Sequence, residues 1–592
     1  MNKRRIISLV LLLLISLTLV PTAYKKVSGE VEGPRLGGTL VIAHWGEPLS
    51  FNPDAQVDDA GYAIHSLIFN KLVTLDVDYN VIPDLAYKWE VSSDGLVYTF
   101  YLYDNVTWHD GEKFTAKDVK FTLEAIKKFK GVAYEDIKVE NIDRIETPSD
   151  YVVKIYLKEP YAPFIQFLAW YGTFILPEHI YGNVTDWLDP NLPALQEPVG
   201  TGPFKLQEWV KGDHITLVAN ENFFRGRPYL DKIVFKIIPD ATAALQSFLA
   251  GEADVLGHRP PLTEIPKLQE TPGVIVQMEP VPSRWYMCFN MRHKPLDDVR
   301  VRKAIAMAIN RSEIVEKAEN GYGEVAEGTY TPAIAWAYNP NAKLPEYNPD
   351  EANRILNEAG YARGEDGFRF KLTYVSWQGP EEEAMGQIIK ESLKKIGIDV
   401  EIKILEFSLW LEKVYKGDEV DFTVVDGFQG PDPANLRFRV TGETPQSLNL
   451  AHYKNEEVEK LFEEAEKIAD TAERQKLYWR IQEILAEDLP YLPLVELIVF
   501  RIYKSEFHGF PWEEEARGKV GYNDYRLVWW EGGTLIEKPA ATKPITDYTT
   551  AIVFVLVIVV VVAALFYVRK REKAVVEEEV AEETGIEEGE VE

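Results

Sequence analysis

The residue types that catalyse reactions occur in this chain of 592 residues, but they do not form the patterns that catalysis requires. The nine histidines stand singly, without the H-E-x-x-H spacing of a metal site. The single cysteine, Cys288, excludes an intramolecular disulfide and multi-cysteine metal clusters. No phosphate-binding G-x-x-x-x-G-K-[ST] loop or G-x-S-x-G nucleophile elbow is found, and residues 321–326 match a dinucleotide fingerprint only loosely. We therefore expect a binding protein that is not an enzyme and needs no metal or cofactor.

Charge and aromatic content narrow the ligand class. The formal net charge of −30 argues against binding to nucleic acid. The chain carries 14 Trp, 30 Tyr and 27 Phe, whose flat faces and polar edges suit amphipathic ligands such as sugars and peptides. Most of these rings are expected to fill the cores of so large a protein.

The two ends of the chain predict its location. Residues 1–29 combine a basic cluster at residues 3–5 with an apolar run and small residues for cleavage, as a secretory signal peptide does. Residues 551–568 carry no charge and precede a basic cluster, as in a single transmembrane helix with a positive inner flank. The acidic residues 569–592 follow. We expect the binding domain on the extracellular side of the cell membrane and this tail in the cytoplasm.

Between the ends, helical and strand patterns alternate. Residues 38–43 and 98–103 predict strands, and Thr115 with Asp118 predicts a capped helix start. An amphipathic stripe from Met385 to Ile396 leads directly into an apolar strand, which is an α/β unit. The body is therefore predicted to be a mixed α/β fold.

A series of short motifs gives this chain a family resemblance that covers about residues 36–530. The motifs occur in one order along the chain: Gly37-Gly-Thr-Leu40, Asp84-Leu-Ala-x-x-Trp89, Trp108-His-Asp-Gly111, Pro198-Val-Gly-Thr-Gly-Pro-Phe204, Asn222-Phe-Phe-Arg-Gly226, Asp298-Val-Arg-Val-Arg302 and Glu358-Ala-Gly-Tyr361. The sequence resembles the family 5 extracellular solute-binding proteins of ABC importers, in an archaeal-like membrane-anchored form.

The resemblance implies a two-lobed periplasmic-binding-protein-like fold (type II, cluster C) that closes on its ligand by a hinge. Its partners would be the permease subunits and, through them, the ATPase subunits. The implied domains are the following: lobe I at 36–83, 198–288 and 507–531; an inserted subdomain at 84–197; lobe II at 289–506; a linker at 532–550.

The ligand class depends on one segment, residues 426–433. Peptide receptors of the family carry there an Asp that pairs with the ligand amino group, and the matching position here is Gln429 or Gly430. An amide suits a hydroxyl group, because it both donates and accepts hydrogen bonds. A three-residue shift of the alignment would instead bring in Asp426 or Asp432.

We expect a β-linked, glucan-like oligosaccharide as the ligand, with an oligopeptide or dipeptide as the alternative. The predicted ligand-binding residues are these: Trp45, Trp377, Phe407, Phe428 and Gln429. Trp410 is expected to pack on its own helix. A tethered extracellular glycosidase remains a further alternative, whereas a signalling receptor is disfavoured because the 24 residues after the membrane helix leave no room for a kinase.

Overall fold

The computed structural model describes residues 33–55, 58–189, 192–417, 419–442 and 448–536. The predicted signal peptide, membrane helix and acidic tail lie outside these residues. Within them, no helix is both long and apolar enough to cross a bilayer. The described residues up to Leu535 form one compact unit.

Strands and helices alternate along the described chain, as the sequence predicts. The strands are β1 (Arg35–Leu36), β2 (Thr39–His44), β3 (Val73–Leu75), β4 (Val81–Pro83), β5 (Ala86–Val91), β6 (Val97–Leu102), β7 (Ile142–Ser149), β8 (Val152–Leu157), β9 (Phe204–Val210), β10 (His214–Ala219), β11 (Lys232–Ile237), β12 (Val255–Leu256), β13 (Val274–Phe289), β14 (Glu324–Val325), β15 (Phe370–Trp377), β16 (Ile398–Leu405), β17 (Phe422–Phe428), β18 (Tyr491–Lys504), β19 (Phe507–His508), β20 (Trp529–Trp530) and β21 (Thr534–Leu535).

The α-helices are α1 (Asp59–Ile68), α2 (Ala116–Phe129), α3 (Phe164–Leu168), α4 (Glu178–Tyr181), α5 (Ala241–Leu249), α6 (Ile265–Glu270), α7 (Val299–Ala308), α8 (Arg311–Lys317), α9 (Pro349–Glu358), α10 (Pro380–Lys395), α11 (Phe407–Lys416), α12 (Arg437–Val440), α13 (Glu456–Lys467) and α14 (Thr471–Asp488). Short 3-10 turns lie at Val139–Asn141, Pro193–Leu195, Leu262–Glu264, Pro433–Leu436 and Tyr525–Leu527.

One sheet runs through both lobes in the order β16-β15-β17-β13-β18-β12-β2-β11-β10-β9, with β14 added beside β18. Its two longest strands, β13 and β18, contribute to the cores of both lobes: Val274 and Val276 pack with Ala43 and Leu256, whereas Trp285 and Met287 pack with Phe422 and Val424. The change of lobe therefore falls inside these strands and not at the predicted bounds 288/289 and 506/507. Their antiparallel pairing shifts register between Pro280 and Arg284. On one side of this irregularity β13 pairs with β17, and on the other side β18 pairs with β12. The irregular segment is therefore the natural place for the two lobes to bend relative to each other.

A separate antiparallel sheet, β5-β6-β8-β7, lies within residues 84–197, the predicted inserted subdomain, which we call the inserted segment. Helix α2 packs on it and begins as predicted, because the Thr115 side chain accepts from the Lys117 amide while the Asp118 carboxylate accepts from the Thr115 amide. The reciprocal caps satisfy amides that have no partner inside the helix.

The two faces of the second-lobe sheet are buried in separate cores. Trp285, Met287 and Phe289 of β13 point into one core, whereas Tyr286 and Cys288 point into the other. The predicted unit at 385–402 is confirmed as α10 followed by β16. Because side chains alternate between faces, the position of a residue within a strand decides which surface it reaches.

Candidate functional site

A cavity of about 760 Å³ lies where the two lobes face each other, beside the irregularity in β13 and β18. Val281 and Ser283 of β13 and Leu497 of β18 form its floor at the hinge. Its volume falls in the usual range for pockets that enclose small ligands, ~300–1,000 Å³. We refer to this cavity as the cleft.

Aromatic rings from three parts of the chain meet across the cleft. Phe428 at the end of β17 stacks on Trp170 of the inserted segment, with ring centroids 4.7 Å apart and planes 10° from parallel. Tyr79 of the first lobe lies 5.4 Å from the same Phe428 ring. Tyr62 and Tyr171 stack at 4.2 Å on another part of the wall. The lobes are thus in contact through the faces of these rings. A planar amide or an apolar side chain of a ligand could stack on the same faces.

A second set of contacts joins the inserted segment to the second lobe outside the cleft. The buried Glu466 carboxylate accepts from Lys138 at 2.5 Å and from Arg437 at 2.9 Å. An exposed pair, Lys467 with Glu159, lies beside them at 2.9 Å. The Lys138–Glu466 and Lys467–Glu159 pairs thus bridge residues 138–159 and the second lobe in this structure.

Three carboxylates face the cleft: those of Asp59, Asp136 and Asp426. Asp426 is exposed to the cleft from β17, and the protein around the cleft raises its pKa above the ordinary value. Burial likewise raises the pKa of Asp136, to about 6. Among the described residues, neither Asp136 nor Asp426 has a basic side chain within ion-pair distance. Their charges can therefore bind a cationic group of a ligand.

The cationic residues of the cleft are three arginines. Arg259 forms an ion pair with Glu319, and Arg439 donates to the Phe428 carbonyl oxygen at 2.5 Å. Arg501 donates to the Tyr522 hydroxyl. The cleft thus presents both anionic and cationic groups on an aromatic wall.

The structure brings two of the five predicted ligand-binding residues to the cleft, Trp45 and Phe428. Trp377 does not line it but lies behind Trp285, with the two ring centroids 6.2 Å apart. Phe407 packs edge-on against Trp377, is 53% exposed and does not line the cleft. Their apolar faces thus serve the packing of the second lobe in this conformation.

Gln429, the fifth predicted residue, has a fully buried side chain that points away from the cleft. Its backbone amide donates to the Pro282 oxygen at 2.6 Å, and its carbonyl oxygen accepts from the Tyr330 hydroxyl at 2.8 Å. Asp426 and Phe428, two residues apart on β17, line the cleft on the same face, whereas Gln429, directly after the strand, is buried and does not line it.

Of the two aspartates considered as alternatives, Asp426 faces the cleft and Asp432 does not. Asp432 is buried and forms an ion pair with Arg474, with Nη2 2.7 Å from Oδ1 and 3.0 Å from Oδ2. The cleft-lining roles of Trp170, Arg501 and Tyr522 were not predicted, since only the tertiary fold brings these distant residues together. The aromatic content was the one sequence signal that pointed towards them.

Comparison with known proteins identifies the family. The model for bacterial extracellular solute-binding proteins, family 5 (Middle) matches residues 80–447, more than half of the chain. The chain belongs to this family. The oligopeptide-binding protein AppA of Bacillus subtilis (strain 168) is 34% identical over 485 residues, which cover 79% of this chain and 87% of that protein.

Two solved structures share the fold of this solute-binding protein. AppA from Bacillus subtilis in complex with a nonapeptide matches with a TM-score of 0.69 and 30% identity, covering 84% of this chain and 99% of that one. The periplasmic binding protein DppA from Helicobacter pylori in complex with the peptide STSA matches with a TM-score of 0.72 and 29% identity over the same shares. The predicted two-lobed α/β fold is confirmed, and the chain is a solute-binding receptor of an ABC importer whose relatives are binding proteins and not enzymes.

Proposed function

We propose that this solute-binding protein captures oligopeptides and delivers them to the permease of an ABC importer. The observation that carries the proposal is the Asp426 carboxylate, which faces an aromatic cleft without an ion-pair partner among the described residues. A peptide supplies an ammonium group for such a carboxylate and planar amides for the surrounding rings. The peptide complexes of the two related structures support the same ligand class.

The oligosaccharide interpretation loses its main support in this structure. It depended on Gln429 offering an amide to sugar hydroxyls, but that amide is buried away from the cleft. A neutral sugar would also leave Asp136 and Asp426 without an ion-pair partner, although Arg259 and Arg439 act on the Asp426 charge at longer range. The relatives with peptide-binding names likewise favour the peptide alternative.

Calorimetry with three ligand sets tests this proposal. We expect peptides with a free amino group to bind, and the same peptides to bind at least about thirtyfold more weakly after N-acetylation, since truncating one partner of an enclosed charge pair costs ~2 kcal/mol or more. β-Linked oligosaccharides are expected to show no heat of binding beyond dilution. Tight binding of an oligosaccharide, with no binding of free-amine peptides, would contradict the proposal.

We further propose that residues 551–568 hold the receptor at the outer face of the cell membrane, after removal of residues 1–29. A variant ending at Ile536 should then be released into the soluble fraction with its ligand affinity unchanged. It must keep β21, which pairs with β1 through Leu36 and Thr534. Fractionation and immunoblotting of both forms measure the effect, and a shortened protein that still sediments with membranes after a salt wash would refute the anchor.

A further inference from the structure

Arg501 is a cation in the cleft wall without a carboxylate partner. Its guanidinium carbon lies 4.6 Å from the ring centroid of Trp512 and 4.9 Å from that of Tyr522. Its Nε is enclosed and has no hydrogen-bond acceptor. In the part of the chain that the structure describes, no acidic side chain lies within ion-pair distance of it. An arginine cannot shed its proton in a protein, so this charge persists in the cleft.

The neighbouring acidic residues are already paired with another arginine. Arg501 lies opposite Gln277 of β13, and Glu279 lies two residues further along the same strand. The Glu279 carboxylate forms its ion pair with Arg517 at 3.1 Å, and Arg517 also contacts Asp78 at 3.0 Å. Arg517 therefore has two carboxylates, whereas Arg501 has two aromatic rings and one hydroxyl. Ring faces compensate only part of the cost of enclosing a guanidinium.

We propose that Arg501 is the anion subsite of the cleft and binds a carboxylate of the peptide whose amino group Asp426 holds. The proposal rests on the function proposed above and adds a second charged contact to it. A guanidinium presents parallel N–H donors that match the two oxygens of a carboxylate. The rings of Trp512 and Tyr522 fix its plane, so it is oriented before the ligand arrives.

The sheet register gives the separation between the two charged sites. Asp426 pairs with Trp285, and Trp285 pairs with Val495 of β18, so Arg501 lies six residues further along that strand. At ~3.3 Å per residue this is about 20 Å of strand, and Asp426 lies two strands, about 10 Å, to the side, so the two backbones are about 22 Å apart. The long Arg501 side chain covers part of this distance, and an extended peptide advances by about 3.3 Å per residue, so a carboxylate roughly five or six residues after the amino group would reach Arg501. The subsite thereby selects peptides by length as well as by charge.

Two groups could supply this carboxylate, the peptide C-terminus or an acidic side chain at the same distance. Calorimetry on the full-length protein with alanine peptides of roughly three to eight residues distinguishes them. Each peptide is compared as the free acid and as the C-terminal amide. We expect the strongest binding near five residues and a loss of about tenfold or more upon amidation at that length. A glutamate as the last residue of the amidated pentapeptide should restore binding if a side-chain carboxylate is also accepted.

Two variants test the residue itself. Arg501→Met keeps the bulk of the side chain and should bind acid and amide equally, with the affinity that the wild type shows for the amide. Arg517→Met removes the neighbouring arginine that is already paired and should keep the preference for the acid. The acid and amide comparison in the wild type needs no variant, so it decides the question even if Arg501→Met fails to fold.

The results separate this subsite from the function on which it rests. Equal binding of acid and amide at every length, with the N-acetylation penalty retained, would overturn the Arg501 subsite and leave the peptide receptor intact. Failure of all free-amine peptides to bind would overturn both. An acid preference that persists in Arg501→Met would assign the anion contact to another residue and refute the proposal.

Discussion

Replacement of Asp426 by asparagine is expected to remove high-affinity binding of peptides with a free amino group. The asparagine amide occupies the same space but offers no charge to an ammonium group in the cleft. Loss of one partner of an enclosed charge pair costs about 2–5 kcal/mol, which corresponds to roughly thirty- to several-thousand-fold in affinity. Calorimetry on the wild type and the variant measures this difference.

The same substitution should leave the fold intact. The folded protein raises the pKa of Asp426, so the stability that this group contributes is fully present only below its unfolded pKa and declines as pH rises through the folded value. At neutral pH the uncharged asparagine is therefore not expected to destabilise the protein. Urea unfolding of the wild type and the variant compares their stabilities. Gln429→Ala is the control for peptide affinity, because it changes a buried side chain that does not line the cleft. An Asp426→Asn variant with normal peptide affinity would exclude this carboxylate as the amine anchor.

Peptide binding by the wild type should also depend on pH in a defined way. Affinity is expected to fall at acid pH, as Asp426, whose pKa is raised above its ordinary value by desolvation, takes up a proton. It should fall again at alkaline pH, as the peptide amino group with a pKa of roughly 8 loses its proton. In the Asp426→Asn variant, peptide affinity should fall less at acid pH than it does in the wild type, because the group at position 426 no longer takes up a proton.

Asp432→Asn is expected to have the opposite effect, with a large loss of stability and no change in the preference for free-amine peptides. The substitution leaves the buried Arg474 guanidinium without its carboxylate partner, although the Tyr478 hydroxyl still lies 3.1 Å away. Breaking a buried pair in this way costs about 3–5 kcal/mol in free energy of unfolding. Urea unfolding measures the loss.

Glu90→Gln is the matched control for Asp432→Asn, because it breaks an exposed pair with Lys88. Exposed pairs contribute little, so we expect no measurable change in stability from this control. An Asp432→Asn protein as stable as the wild type would show that the Arg474 pair does not hold the second lobe together.

Much of the fold could be predicted from the sequence because its signals are local or ordered along the chain. The capping box at Thr115, the α10–β16 unit and the strand predicted at 38–43, observed at 39–44, follow from spacing and periodicity, and the structure confirms each. The motif order indicated the family, which the match over 80–447 confirms.

The cleft could be predicted only in part because it depends on strand register. Trp45 and Phe428 reach the cleft as expected, whereas Gln429 does not. An uncertainty of one residue in an alignment reverses the face on which a side chain lies, and motif spacing alone did not remove that uncertainty at 426–430. Trp170 and Arg501 come from segments distant in sequence, and their meeting with Phe428 and Tyr522 follows from tertiary packing alone.

The central claim is that Asp426 holds the amino group of a peptide, and a double-mutant cycle tests it most directly. Calorimetry would give the affinities of the wild type and Asp426→Asn for one peptide, with its amino group free and acetylated. We predict that acetylation weakens binding to the wild type by about 2 kcal/mol or more and has almost no effect on the variant. An equal acetylation penalty in both proteins would show that Asp426 does not contact the amino group and would contradict the account.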